Sequence, residues 1–352
     1  MADVRGVRIG FPARGAPVTI LSLPDLEALI SAALVASNVS TTNSASVARA
    51  LTAAEADGQK GHGLSRVPSY AAQARSGKVD GYAKPDAKQS RPGGIVIDAL
   101  HGFSYPAIDI AIERLPSLAR TCGVAAAAVT RSHHFGVAGH HCERLAEQGL
   151  VALAFGNTPS AIPPWGGRRA LFGTNPIAFA APCSGRPPVV VDLALSEVAR
   201  GRIMTAAQQK KPIPLGWALD ADGQPTTDAE AALKGTLLPA GGAKGAALAL
   251  MVEILAAALT GSNFAFEATS FFDAKGAPPS VGQVLLAIDP GAFAGTTSFA
   301  DRVSVLAQAI EQDAGARVPG KRRFNLRAQA EARGVDVDAA LVAAVQGIAA
   351  VR

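Results

Sequence analysis

The chain has 352 residues, of which 49% are hydrophobic and 17% are charged, so it can bury a large core in one or two globular domains. Its net charge of +5 is spread without a basic stripe interleaved with aromatics, which argues against a nucleic-acid partner and favours small anions. The three cysteines lack CxxC spacing, and no leader pattern or run of about 18 apolar residues occurs. We therefore expect a cytoplasmic protein without disulfides or membrane contact.

The first part of the chain carries a helical pattern. Between Pro24 and Gly58, apolar residues recur at spacings of three and four behind a Pro-Asp start. A connection rich in glycine and proline follows from Gly77 to Gly94. Short apolar runs then alternate with helical segments, which is typical of an α/β layer structure. The runs span 94–98, 124–130 and 150–155, and the helical segments span 107–121 and 138–148.

The later runs at 175–180 and 189–192 follow short connections, which permit hairpins. We therefore predict an α/β fold with a mixed, largely antiparallel sheet. The segment 244–260, KGAALALMVEILAAALT, is apolar on nearly every face, so it is either a central core helix or part of a dimer interface. Amphipathic helical patterns return near the end of the chain, at 303–313, 326–333 and 337–351.

The two helical ends are expected to pack together. This predicts a helical domain formed by residues 1–85 and 298–352, with an α/β nucleotide and substrate domain at 86–297 inserted between them.

Several common site motifs are absent from the sequence. It contains neither GxGxxG after a strand nor GxxxxGK[ST], which argues against a Rossmann site and an NTPase phosphate loop. It also lacks HExxH and GxSxG, so a zinc protease or a serine hydrolase has little support.

Residues 132–182 hold four of the six histidines together with several glycine turns. His134 follows an apolar run and precedes a glycine-rich turn into a helix, where free backbone N–H groups can bind nucleotide phosphates. His140 and His141 fall in the first helical turn and are equally explained as capping or solvated side chains. These histidines and His133 have no cysteine or carboxylate at ligand spacing, so we predict no metal site.

A second candidate site is GQKGHGLSRVP. His62 lies between two glycines that keep its imidazole accessible, and a histidine titrates near neutrality, which suits a proton donor. Arg66 follows four residues later and can bind a carboxylate through its planar guanidinium. The alternative is an ordinary loop histidine and a surface arginine.

Five motifs occur in order along the chain: HHFGVAGHHCERLAEQG, PPWGGRRALFGTNPIAFAAP, VVVDLALSEVARGRI, PAGGAKGAALALMVEIL and RVPGKRR. Together they resemble the malate/L-lactate dehydrogenase type 2 family, which is unrelated to the Rossmann-type lactate and malate dehydrogenases. GHGLSRVP and GGAKGAALALMVEIL are most similar to the branch that reduces Δ1-pyrroline-2-carboxylate and Δ1-piperideine-2-carboxylate. The resemblance covers nearly the whole chain and implies a homodimer with a non-Rossmann nucleotide fold.

The resemblance also implies roles for individual residues. The family's proton donor matches His62, its carboxylate-binding arginine matches Arg66, and a threonine near the substrate matches Thr174. Nucleotide-binding positions match His134, Phe135, Gly136, Val137, Ala138, Asp192, Leu193, Ala194, Lys244, Arg317, Gly320, Arg322 and Arg323. Many relatives orient the histidine with a serine and an aspartate, but those positions hold Gly61 and Arg202 here.

The implied activity is reduction of a cyclic imino acid to L-proline or L-pipecolate. The implied cofactor is NADPH, with NADH as the alternative. A 2-oxo acid presents the same acceptor carbon beside a carboxylate, so an L-lactate or L-malate dehydrogenase is the second hypothesis. A non-catalytic nucleotide-binding protein is the third, because the orienting serine and aspartate are missing.

Overall fold

The structure is a computed structural model that describes residues 17–351. Its strands are β1 (Val18–Leu21), β2 (Asp86–Arg91), β3 (Gly94–Asp98), β4 (Val124–Ser132), β5 (Val151–Gly156), β6 (Ile177–Ala181), β7 (Val189–Leu193), β8 (Ala218–Leu219), β9 (Thr236–Leu237), β10 (Val281–Ile288) and β11 (Val335–Asp338). Its α-helices are α1 (Leu23–Val35), α2 (Thr41–Ala56), α3 (Val67–Ser76), α4 (Ser104–Cys122), α5 (Ala138–Ala146), α6 (Arg200–Gln208), α7 (Ala229–Lys234), α8 (Ala243–Glu253), α9 (Thr296–Gln312), α10 (Lys321–Arg333) and α11 (Ala339–Ala349). None of the helices within residues 17–351 has the length and apolar character needed to cross a bilayer.

The main sheet in the described residues has seven strands in the order β2-β3-β4-β10-β5-β6-β7. Only the β3–β4 pair is parallel, and the other five pairs are antiparallel. The prediction of a mixed, largely antiparallel sheet is therefore confirmed. Helices α4 and α5 pack on this sheet, and their apolar side chains join its buried face in one hydrophobic core.

The central strand β10 was not predicted. Its sequence VGQVLLAI is buried on both faces, so its apolar residues run on without the alternation that marks a half-buried strand. It pairs with β4 on one side and β5 on the other, although it lies more than a hundred residues further along the chain. Strand β2 was also missed, because it is a largely exposed edge strand within the glycine- and proline-rich connection.

The first helical segment is two helices rather than one. The hydroxyl of Ser22 accepts a hydrogen bond from the Asp25 N–H at the start of α1, and Ser40 caps α2 through the Asn43 N–H. The last predicted helix is shorter than expected, because residues 335–338 form β11 and pair antiparallel with β1. This two-stranded sheet joins the two ends of the described chain.

A second hydrophobic core lies among the helices from both ends. It contains Leu26 and Leu51 from α1 and α2, Tyr70 from α3, and Val342 and Val345 from α11. Helix α8 has an inner face buried in a third core and an outer apolar face that is exposed. Its last turn widens into a π-helical turn at Ile254–Ala258. Turns of this type are frequent near functional sites.

Candidate active site

His62 and Arg66 lie in two successive 3-10 turns, Lys60–His62 and Leu64–Arg66, between α2 and α3. The Nε of Arg66 donates a hydrogen bond to the carbonyl oxygen of Gly61 at 2.7 Å, and its guanidinium carbon lies 4.9 Å from the ring centre of Phe272. The Nη1 atom of Arg66 is buried and has no hydrogen-bond partner among the described residues. A buried donor without an acceptor is costly, so this atom fits an anionic ligand.

The imidazole of His62 stacks on that of His134. The ring centres are 5.4 Å apart and the planes differ by 18°. His134 follows β4, and its Nδ1 lies 2.6 Å from the hydroxyl oxygen of Tyr70. Tyr70 lies one helical turn after Arg66 in the sequence. The structure therefore brings the two predicted sites of the sequence together, since His62 belongs to the first and His134 to the second.

Both histidines are held in the neutral form. Burial, together with the neighbouring Arg66 and His140 side chains, lowers the pKa of His62 to about 3. Burial and Arg66 also hold the pKa of His134 well below its usual value. A neutral imidazole has a ring nitrogen free to receive a proton, as a general base must, but a pKa of about 3 makes His62 a weak base in the free protein.

An apolar wall formed by the loop of residues 270–273 closes one side of this group. The ring of Phe271 lies 5.3 Å from the ring of His134, centre to centre. Two buried side chains fix the loop through its carbonyl oxygens: Gln73 donates to Phe271 at 2.7 Å, and Lys78 donates to Ser270 at 2.7 Å. The wall is therefore fixed in place beside Arg66 and His134.

The HFGVA turn between β4 and α5 has a backbone suited to a nucleotide. Gly136 has a φ of +68°, and a Cβ there would lie 2.7 Å from the hydroxyl oxygen of Tyr105. The N–H groups of Gly136, Val137 and Ala138 have no acceptor within residues 17–351. They lie at the N-terminus of α5, where an anion is favoured, so the turn fits the nicotinamide nucleotide that the sequence predicts.

Asp192 lies against the first turn of α5. Its Oδ2 accepts a hydrogen bond from the Gly139 N–H at 2.8 Å, and burial raises the pKa of this carboxyl group. The chain beyond Asp192 continues to Leu195, whose N–H donates to the carbonyl oxygen of Thr174 at 2.8 Å. The DxA and Gly-Thr-Asn-Pro segments are therefore neighbours.

Thr174 is fixed by its neighbours. Its N–H donates to the hydroxyl oxygen of Thr158 at 2.9 Å. The next residue, Asn175, donates through Nδ2 to the carboxylate of Glu253 at 2.8 Å. Glu253 is 3% exposed, and burial raises its pKa although donors from Asn175, Ala265 and other groups oppose the shift.

The RVPGKRR element divides into one buried and several exposed cations. Arg323 is 7% exposed, and its Nε lies 3.0 Å from Oδ2 of Asp57. Its Nη2 also donates to the carboxylate of Glu143, and Arg327 bridges the same two carboxylates. His140 adds a contact of 2.7 Å between its Nε2 and Asp57. Arg323 is therefore committed to a buried cluster of charges, whereas Arg322 and Arg317 are exposed.

Hydrogen bonds and opposite charges stabilise the ionised carboxylate of Asp57 in this cluster. Burial opposes ionisation of Asp57, but hydrogen bonds from His140 and Arg327 lower its pKa below the usual value. The two histidines in the first turn of α5 both contact the protein. His140 contacts Asp57, and Nε2 of His141 lies 2.8 Å from the carbonyl oxygen of Phe135.

The other residues predicted to bind the cofactor differ in their exposure to solvent. Phe135 is 2% exposed and packs in the main core, and Leu193 is 54% exposed at the end of β7. Ala194 is exposed as well, and Lys244 is exposed in the first turn of α8. Gly320 precedes α10 with a φ of +90°. The roles of these residues stay predictions.

The comparisons with known proteins identify the family. The malate/L-lactate dehydrogenase family matches residues 21–346. The chain belongs to this family. It is similar to a protein named (2R)-3-sulfolactate dehydrogenase (NADP(+)) from Chromohalobacter salexigens, with 52% identity over 88% of this chain and 92% of the relative. A Pseudomonas putida protein named Delta(1)-pyrroline-2-carboxylate/Delta(1)-piperideine-2-carboxylate reductase is 42% identical over 91% and 94%.

A solved structure supports the same assignment. The crystal structure of Δ1-piperideine-2-carboxylate reductase from Pseudomonas syringae pvar. tomato aligns with a TM-score of 0.89, at 39% identity, over 94% of this chain and 99% of that one. The family predicted from the five motifs is confirmed. The protein is therefore an oxidoreductase that uses a nicotinamide cofactor.

Sequence reasoning missed several residues of this oxidoreductase's candidate site. Tyr70 has a signal that was available, because it lies in the first turn of α3, four residues after Arg66. Phe271 and Phe272 have no such signal, since they lie in a loop about two hundred residues away in sequence. Glu253 was masked by the apolar pattern of the helix that carries it.

The adjacent residues Arg322 and Arg323 provide a matched test of the buried cluster. Arg323→Ala leaves Asp57 and Glu143 short of a partner, so we expect a loss of about 3–5 kcal/mol in the free energy of unfolding. Arg322→Ala should change it by no more than about 0.5 kcal/mol, because the side chain is exposed. Urea unfolding measures both values. Equal losses for the two variants would contradict the assignment of Arg323 to a stabilising cluster.

Proposed function

We propose that the enzyme interconverts a small 2-oxo or 2-imino acid with its reduced form by hydride transfer at C2. One observation carries this proposal: the buried Nη1 of Arg66 has no hydrogen-bond partner among residues 17–351, and Arg66 lies in the 3-10 turn that directly follows the turn of the neutral His62. A guanidinium recognises a carboxylate with two parallel hydrogen bonds, and the nearby imidazole can exchange a proton with the group on C2.

In this mechanism Arg66 binds the substrate carboxylate and so fixes the position of C2. A nicotinamide nucleotide, when bound, would supply the hydride for reduction or take it up in oxidation. The free N–H groups of Gly136, Val137 and Ala138 at the N-terminus of α5 would hold the nucleotide. Proximity and orientation then supply a large part of the rate. Thr174 is assigned to the substrate side, as the motif predicts.

His62 moves the proton. In the oxidative direction its neutral ring accepts the hydroxyl or amine proton as hydride leaves C2. In the reductive direction the ring must first gain a proton, although burial and the charge of Arg66 oppose this in the free enzyme. A bound carboxylate offsets the charge of Arg66, so substrate binding favours protonation of His62.

We propose 3-sulfolactate and its 2-oxo partner as the first substrate pair to test. The support is sequence identity, because the relative bearing that name is 52% identical over most of both chains, ten percentage points above the P. putida reductase. The name of that relative includes NADP(+), which supports NADP(H) as the cofactor. A 2-hydroxy acid of this type corresponds to the second hypothesis from the sequence, with a sulfonate added to the substrate.

Cyclic imino acids are the second candidate, and a structural observation favours them. Phe271 and Phe272 form an apolar wall beside His134 and Arg66. The methylene groups of a five- or six-membered ring would pack against such a wall, whereas a sulfonate would require further polar contacts. The 39% identical reductase with a TM-score of 0.89 supports the same substrate class.

A substrate panel separates the two candidates. Sulfopyruvate, pyruvate, oxaloacetate, Δ1-pyrroline-2-carboxylate and Δ1-piperideine-2-carboxylate are each assayed with NADPH and with NADH by the loss of cofactor absorbance. The highest kcat/KM for sulfopyruvate with NADPH would support the first proposal. Turnover of the cyclic imines alone would transfer the assignment to the second, and turnover of none of them would refute the proposed activity.

Arg66→Lys tests the carboxylate contact with the best substrate of that panel. Lysine keeps the charge but cannot make the planar two-pronged contact, so we expect kcat/KM to fall by about tenfold or more while the Kd for NADPH stays near wild type. Lys60→Arg is a control in the preceding turn, since the Lys60 ammonium donates to the exposed carbonyl oxygen of Asp336. Wild-type kinetics in Arg66→Lys would refute the proposed substrate pose.

The lowered pKa of His62 predicts an unusual pH profile for oxidation of the 2-hydroxy acid. The catalytic form is the neutral ring, and a pKa of about 3 keeps the ring neutral until the pH falls toward that value. We therefore expect kcat/KM to show no acidic limb from His62 between pH 8 and pH 5. A histidine with the ordinary pKa of about 6.5 would lose roughly thirtyfold by pH 5. An acidic limb centred near pH 6.5 is the outcome that would contradict this assignment.

The sequence resemblance implies a homodimer, and we also propose that the second copy of the chain covers the outer face of α8. This face exposes Leu248, Met251 and Ile254 by 41%, 38% and 52%. The only charged residue between 245 and 260 is Glu253, which is buried, so two copies of the face can meet without repulsion between like charges.

Ile254→Lys should therefore break the dimer. A lysine on each copy would place unpaired charge in an apolar interface. Light scattering after gel filtration should give twice the chain mass of 35.7 kDa for wild type and the single chain mass for the variant. Leu306→Lys is the control, because Leu306 is equally apolar and 62% exposed on α9. A variant that keeps the doubled mass would place the interface elsewhere.

A further inference from the structure

The candidate proton-transfer histidine lacks the serine and aspartate that the family resemblance leads us to expect. Gly61 precedes His62 and has no side chain, and Arg202 is exposed on α6. A side chain that moves a proton must still be held in one orientation, because a small misplacement lowers the rate strongly. Another part of the structure must therefore orient His62.

The strongest candidate is a buried chain of three polar groups. The hydroxyl oxygen of Tyr70 lies 2.6 Å from Nδ1 of His134 and 3.1 Å from the hydroxyl oxygen of Tyr105. Tyr70 is fully buried, and Tyr105 and His134 are 3% and 7% exposed. The three residues come from α3, from α4 and from the turn after β4, so the chain connects separate elements.

The order of donors in this chain follows from the available acceptors. Within residues 17–351, the only protein acceptor for the Tyr105 hydroxyl is the Tyr70 oxygen. If Tyr105 donates to Tyr70, the single hydroxyl proton of Tyr70 is free to go to Nδ1 of His134. This assigns the ring proton of His134 to Nε2 and fixes both the tautomer and the plane of the ring.

We propose that Tyr70 and Tyr105 are positioning residues for His62. Their hydroxyl groups hold the His134 ring in one orientation, and that ring is the surface on which the imidazole of His62 stacks at 5.4 Å. The chain takes the place of the missing serine and aspartate. The kinetic part of this inference rests on the proposed function, whereas its structural part does not.

Tyrosine to phenylalanine changes give a matched kinetic test. The protein has three tyrosines, and the third, Tyr82, is 63% exposed and serves as the control. We expect Tyr70→Phe to lower kcat by about tenfold to a hundredfold, with the substrate KM and the Kd for NADPH within about twofold of wild type. Tyr105→Phe should cause a smaller fall in kcat, and Tyr82→Phe none. An unchanged kcat in Tyr70→Phe would overturn the proposal, and so would parallel changes in kcat, KM and Kd.

A second readout needs neither substrate nor activity. Nitrogen NMR of the free protein labelled at its six histidines reports the tautomer of each ring, with His134 assigned from the missing signals of His134→Gln. We expect a neutral His134 with its proton on Nε2 in wild type, and a mixture of tautomers in Tyr70→Phe. The same single tautomer in both proteins would overturn the proposal. Because this measurement is independent of turnover, it separates failure of the positioning role from failure of the proposed enzyme activity.

Discussion

The buried charges around Asp57 determine how the two halves of the candidate site meet. Asp57 ends α2 a few residues before His62, and Glu143 lies on α5 just after the turn that holds His134. Arg323 and Arg327 of α10 bridge these two carboxylates. Buried ion pairs add little stability relative to an apolar core, but breaking one is costly, so such a cluster favours a single arrangement. It thereby fixes the His62 turn against the start of α5.

The environment produced by this arrangement explains the chemistry of the site. Three histidine rings, His62, His133 and His134, lie near the charge of Arg66, and burial keeps each of them neutral. Among residues 17–351, Arg66 forms no salt bridge with a carboxylate. An anionic substrate supplies the balancing charge, so substrate binding and the proton affinity of His62 are coupled by simple electrostatics.

The sequence allowed a large part of the fold to be predicted. The apolar runs located β3, β4 and β5, and the short connections indicated an antiparallel arrangement, because these signals are local. The central position of β10 depends on pairing between residues more than a hundred positions apart, and no local pattern reports it. The same limit applies to the site. His62 and Arg66 share one short motif and were found together, whereas Phe272 meets Arg66 only through the folded chain.

Helix α8 shows why an apolar pattern alone gives an incomplete prediction. The sequence left two alternatives, a core helix or a dimer interface, and the structure gives the helix one buried and one exposed face. Glu253 projects from the buried face and holds Asn175 beside Thr174, while Met251 and Ile254 lie on the exposed face. A single carboxylate among apolar residues would be costly without its donors, so its presence marks the contact with the Gly-Thr-Asn-Pro segment. The helix that we propose as the dimer interface is thus also the one that fixes the predicted substrate threonine.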